Sequence, residues 1–97
     1  MDNMANGNYS YPIDPSWTTT ELETVIGLLN NVEAAYESGV ARSTLLKSYR
    51  EFKKIVPAKS EEKQLGRNFY AVSGYQLYDV IKAAQNSKQN IIKLARG

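Results

Sequence analysis

Apolar residues return every three or four positions through most of this chain, and that period restricts it to helices. The first helix has the clearest start. Thr18-x-x-Glu21 is a capping box, in which each side chain reaches the other residue's backbone N–H, and Trp17 and Leu22 stand where a hydrophobic staple closes over it. Asp14 before Pro15 is a weaker rival start. Leu22, Val25, Ile26, Leu29, Val32 and Tyr36 then share one face, and Gly39 is suited to the left-handed residue that ends a helix. A second helix begins at Ser43 or Thr44 and stops at Pro57, with Leu45, Tyr49, Phe52 and Val56 in a narrow arc and Leu46 and Ile55 beside it. A third runs from about Ser60 to Val72 and buries Leu65, Phe69 and Val72, with Gly66 costing about 1 kcal/mol against Ala. The fourth opens on a second capping box, Ser73-x-x-Gln76, with Val72 and Leu77 as staple residues. Leu77, Val80, Ile81 and Ala84 form its inner face, which fades near Asn86 and Ser87. Ile91, Ile92 and Leu94 either dock on the bundle or continue a helix. No period-two alternation is long enough for a strand. The expected fold class is all-α, a compact array of four short helices with an extended N-terminal arm.

The arm is Tyr11 to Trp17, where Pro12 and Pro15 favour an extended course and Tyr11, Ile13 and Trp17 are expected to lie across the bundle. Residues 1–10, rich in Asn, read as a mobile tail, which leaves 11–97 as a single helical domain. At 97 residues there is room for one core, and most apolar side chains are committed to it. Hydrophobic content of 42% against 23% charged is that of a chain that folds.

Function is bounded chiefly by two missing residue types. The chain has no Cys and no His, which removes disulfides, thiol nucleophiles, the commonest metal ligands and the usual catalytic triads. There is no phosphate-binding glycine loop, and Glu21 with Glu23 and Glu61 with Glu62 are helix neighbours pointing in different directions, not acid/base pairs. The expectation is a protein that is not an enzyme and holds no cofactor or metal. The first residues lack the basic and apolar regions of a signal peptide, and no apolar run reaches membrane-spanning length, so a cytoplasmic protein without a membrane partner is expected. Asn8-Tyr9-Ser10 then matches a glycosylation acceptor by chance.

Charge is divided along the chain. Residues 1–38 carry six acids and no base, whereas residues 39–97 carry twelve bases and four acids, for the stated net charge of +2. On helix two, Lys47, Arg50 and Lys54 form a stripe opposite the apolar arc, and Arg42, Lys53, Lys59, Lys63 and Arg67 would widen it. Such stripes are ordinarily the solvated faces of amphipathic helices. The functional alternative is a phosphate-binding surface for nucleic acid. A helix-turn-helix fits poorly, because residues 75–86 would be the recognition helix and the bases lie elsewhere. Of seven tyrosines, Tyr36 and Tyr49 take core-facing positions and Tyr70, Tyr75 and Tyr78 gather at the junction of helices three and four. Packing explains such tyrosines, and so does a partner surface. The candidate binding face is therefore Lys47, Arg50, Lys54, Tyr75 and Tyr78, with an unknown protein partner expected first, nucleic acid second, and a monomeric or weakly self-associating chain.

Several stretches resemble a known family: Tyr-Pro-Ile-Asp at 11–14, Trp-Thr-Thr at 17–19, Val-Glu-Ala-Ala-Tyr-Glu-Ser-Gly-Val at 32–40, Tyr-Arg-Glu-Phe-Lys-Lys-Ile-Val-Pro-Ala-Lys at 49–59, Glu-Glu-Lys-Gln-Leu at 61–65 and Val-Ser-Gly-Tyr at 72–75. They are similar to the YktA-like uncharacterised protein family of Bacillus, Lactobacillus and related Gram-positive bacteria, from residue 11 to the end. The resemblance implies a small, cytosolic, helical protein and carries over no catalytic residue.

Overall fold

The computed structural model describes residues 11–95, so the mobile-tail expectation for residues 1–10 lies outside the described residues. Four helices follow in order: α1 Thr19–Glu37, α2 Arg42–Ile55, α3 Lys59–Ser73 and α4 Leu77–Asn86. The fold is all-α, as the apolar period requires, with one addition. Val40–Ala41 (β1) and Ile91–Ile92 (β2) pair antiparallel, Val40 opposite Ile92 and Ala41 opposite Ile91. No strand is expected from the sequence, because two residues are too few to show alternation. The last apolar stretch thus neither extends α4 nor docks by side chains alone. It adds a short strand and continues along α1, where the Leu94 N–H donates to the Ala35 carbonyl at 2.9 Å.

That pairing moves the start of α2. The first turn of a helix has backbone donors without helical acceptors. Arg42 donates its N–H to the Asn90 carbonyl at 2.8 Å, so the helix begins at Arg42 with no side-chain cap, one turn-residue ahead of the expected Ser43 or Thr44. The Arg42 guanidinium reaches back to the Ala84 carbonyl at 2.6 Å and ties α2 to α4.

The first capping box forms as expected: the Thr18 hydroxyl accepts from the Glu21 N–H at 3.1 Å, and the Glu21 carboxylate accepts from the Thr18 N–H at 3.0 Å. Asp14 starts no helix. Its carboxylate accepts from the Ser16 N–H and hydroxyl within a turn, and these two bonds hold its pKa low. The second capping box does not form. Ser73 is the last residue of α3, its hydroxyl donating to the Phe69 carbonyl at 2.7 Å and accepting from the Tyr75 N–H at 3.1 Å, while Gly74 at φ +79° ends the helix. α4 begins only at Leu77, so Ser73 is not its N-cap, and the hydroxyl oxygen accepts from the intervening Tyr75 instead. α4 therefore starts from Gln76 without a side-chain cap.

The core is one cluster drawn from all four helices and from β2, with Phe52 and Phe69 wholly buried. Truncating either phenylalanine to Ala would cost about 3–5 kcal/mol. α1 buries Val25, Leu28, Leu29, Val32 and Ala35, while Leu22 and Ile26 are only half-buried. Val72, expected inside, is 42% exposed: it stands on the same side of α3 as Leu65, but in the last turn of the helix, next to its Gly74 stop. In the arm, Tyr11 and Trp17 pack against the core, but Ile13 stays exposed.

Candidate functional site

Lys47, Arg50 and Lys54 all lie exposed on α2, as their spacing requires. They do not form an uninterrupted cationic stripe. Lys54 pairs with Glu51 on the next turn at 3.3 Å, and Lys47 borders a cleft of about 390 Å³ whose other walls include Glu23 and Glu51. The two tyrosines of the candidate face separate. Tyr75 is only 6% exposed: its ring stacks on Tyr36 at 4.8 Å and its hydroxyl donates to Glu37 at 2.6 Å, which withdraws it from any partner. Tyr78, the first turn of α4, is 64% exposed.

Tyr78 belongs to a different surface from the α2 lysines. A concavity of about 800 Å³ runs between α3 and the start of α4 and is bordered by none of Lys47, Arg50 and Lys54. Its floor is Gly66 and the buried Leu77. A methyl group at position 66 would already lie 3.9 Å from Leu77, so the missing side chain is what opens the floor. Tyr70 and Tyr78 flank it, and Lys82 donates to the Tyr78 hydroxyl at 3.2 Å, its nitrogen 5.5 Å from the ring centre. Along the α3 edge stand Lys59, Lys63 and Arg67. The one carboxylate in the lining, Glu62, is already engaged: Lys53 donates to one oxygen and Tyr49 to the other, both at 2.7 Å. Burial opposes ionisation of Glu62, but those two bonds and the charges of Lys53 and Lys59 outweigh it and hold its pKa low. Burial, the bond to Glu62 and its charge push the Tyr49 phenol up.

A second titratable cluster lies under the arm. Glu33 is 8% exposed and is pushed up to about 7, first by burial and then by the neighbouring Glu37 charge. The Tyr11 hydroxyl lies 2.9 Å from the Glu33 carboxylate and 2.7 Å from the Asn30 side-chain oxygen. Burial, and then Glu37, raise the Tyr11 phenol as well. Glu33 was legible only as a misfit, four residues from Leu29 and eight from Val25 on the apolar face of α1. The groove left a fainter trace, a glycine inside α3 with bases on either side of it.

Among the described residues, no group of three or more His, Cys, Asp or Glu side chains could hold a metal ion, and no helix is long and apolar enough to cross a membrane. Residues 8–93 match the uncharacterised protein family UPF0223. A UPF0223 protein of Streptococcus gordonii is 53% identical over 91 residues, which cover 94% of this chain and 99% of that one. One from Streptococcus agalactiae serotype III is 50% identical over 93 residues, covering 96% of this chain and all of the other. Both relatives are Gram-positive proteins of an uncharacterised family, as the resemblance implies.

Proposed function

The chain belongs to the UPF0223 family, whose description assigns no activity, and we propose that it is a cytoplasmic protein-binding module that docks a polypeptide in the groove between α3 and α4. One observation carries this reading: Tyr70 and Tyr78 stand exposed on either side of an apolar floor. A small domain gains by burying such rings, and exposed tyrosines around a depression are what protein interfaces use as anchors. They bring large contact area at low cost in side-chain entropy. The α2 face supports a partner less well, because Glu51 neutralises Lys54 and carboxylates border Lys47.

The test compares two sets of variants. Tyr70→Ala with Tyr78→Ala should lower the affinity for a captured cytosolic protein at least about tenfold, the loss of an anchor. Lys47→Gln, Arg50→Gln and Lys54→Gln together should leave it unchanged. With that partner purified, amide exchange should slow along α3 and the start of α4. Slowing confined to α2 would overturn the assignment of the groove.

A further inference from the structure

Resting on that protein-binding reading, we propose that the polypeptide taken by the groove is an acidic segment, with carboxylates set against Lys59, Lys63 and Arg67 and one apolar or aromatic side chain seated between Tyr70 and Tyr78. The three bases recur every four residues, so they stand in a row along one face of α3, about 6 Å apart. Carboxylates four apart on a helix, or two apart on an extended chain, repeat at about the same distance.

Within the fold only Glu62 acts on the row, at its Lys59 end, and Lys63 and Arg67 have no ion pair among the described residues. Neither of the two ion pairs among the described residues involves Lys59, Lys63 or Arg67, and Arg67 bonds only to the neutral Gln64. Glu62 is committed to Tyr49 and Lys53, so its charge is matched already. Lys82, bonded to the Tyr78 hydroxyl, adds a fourth cation beside the groove. The surface is therefore cationic around an apolar floor, and electrostatic complementarity selects an anionic partner with an apolar anchor.

The same observations disfavour other occupants. A second copy docked by two-fold symmetry would set these cations against each other. A second copy offering its acidic α1 would bring charge without an anchor, since the large exposed apolar side chains, Ile13, Tyr70, Val72, Tyr78 and Ile91, are all outside α1. A nucleic-acid strand needs open ring faces for base stacking. Tyr70 and Tyr78 are the two rings lining the groove, and the floor between them is a depression, not a continuous platform.

The experiment is selection of a random peptide library on the full chain, followed by anisotropy titration of the enriched peptides, of their Asp→Asn and Glu→Gln analogues, and of a single-stranded oligothymidylate. Enriched peptides should carry net negative charge beside an aromatic or aliphatic residue. Their affinity should fall with added salt and fall at least about tenfold in Lys59→Gln/Lys63→Gln/Arg67→Gln. Because Lys59 also supports Glu62, the Lys63→Gln/Arg67→Gln pair repeats the test with that support intact. If neutral or basic peptides are enriched and Tyr78→Ala releases them, the acidic partner is wrong while the protein-binding groove stands. Tighter binding of the oligothymidylate, lost in the triple variant, overturns both in favour of nucleic acid. If no peptide is enriched over the Tyr70→Ala/Tyr78→Ala variant, the groove is not a docking surface.

Discussion

Glu33 shows how much one residue can make stability depend on pH. A Tyr11 hydroxyl has one proton, yet two acceptors stand within reach, Asn30 at 2.7 Å and Glu33 at 2.9 Å. A protonated Glu33 resolves the conflict, since it donates to the Tyr11 oxygen while Tyr11 donates to Asn30. The folded pKa, about 7, lies above the ordinary 4.5, so folding takes up a proton between those values. This group's contribution is fully present below pH 4.5, declines as pH rises toward 7, and stays lost above it. Glu62 behaves oppositely: its pKa is lowered, so its contribution is present above the ordinary carboxylate value and lost in acid. Glu33→Gln keeps the volume and can donate to Tyr11 at any pH. It should raise Tm above neutrality, by roughly 4–8 °C if the gain is about 1 kcal/mol. Toward about pH 5 the advantage should shrink, because wild-type Glu33 is then protonated. Thermal melts at both pH values check this, and an equal difference at both would rule out the titration.

At the scale of elements, the junction after α1 decides how the two ends of the chain meet. Gly39 adopts φ +98°, and its N–H bonds to the Ala34 carbonyl alongside that of Ser38. This turn delivers Val40 and Ala41 to Ile91 and Ile92, and a Cβ on Gly39 would come within 3.0 Å of the Ile91 side chain. Gly39→Ala thus meets two penalties, a positive φ and a crowded neighbour, and should destabilise by about 1–2 kcal/mol. Ile91 is exposed, so Ile91→Ala relieves the crowding at little cost to the core. Gly39→Ala should accordingly cost less in the Ile91→Ala background, by the coupling that a double-mutant cycle reports. An unchanged Tm for Gly39→Ala alone would refute the strained turn.

For the whole molecule, the charge division along the chain becomes a division between surfaces. The acidic first third supplies α1, and the bases fall on α2, on α3 and beyond. Only α3 carries a row of bases free of ion pairs beside exposed tyrosines, since Lys54 on α2 is paired. Lys47→Gln/Arg50→Gln/Lys54→Gln should therefore shift stability by no more than about 0.5 kcal/mol, as exposed substitutions ordinarily do. Denaturant titration reads this directly. A larger loss would mean that the α2 bases hold α1 in place through their charges.

Four helices, most of their inner faces, the Thr18 cap and the glycine stop at Gly39 were legible in the sequence, because each depends on residues no more than a few positions apart. Period, cap and turn are local physics. What the sequence withheld depends on residues far apart in it. Ser73 reads equally well as the end of one helix or the cap of the next, and it closes α3 because Gly74 turns left-handed immediately after it. β1 and β2 lie some fifty positions apart, and only folding makes them neighbours. The same holds for the binding surface. Tyr75 and Tyr78 look alike in the sequence, yet Tyr36 and Glu37 of α1 take up Tyr75, while Tyr78 faces the gap left by Gly66 on α3. A groove exists only where two helices lie side by side, so its lining is a property of packing that no single helix's pattern records.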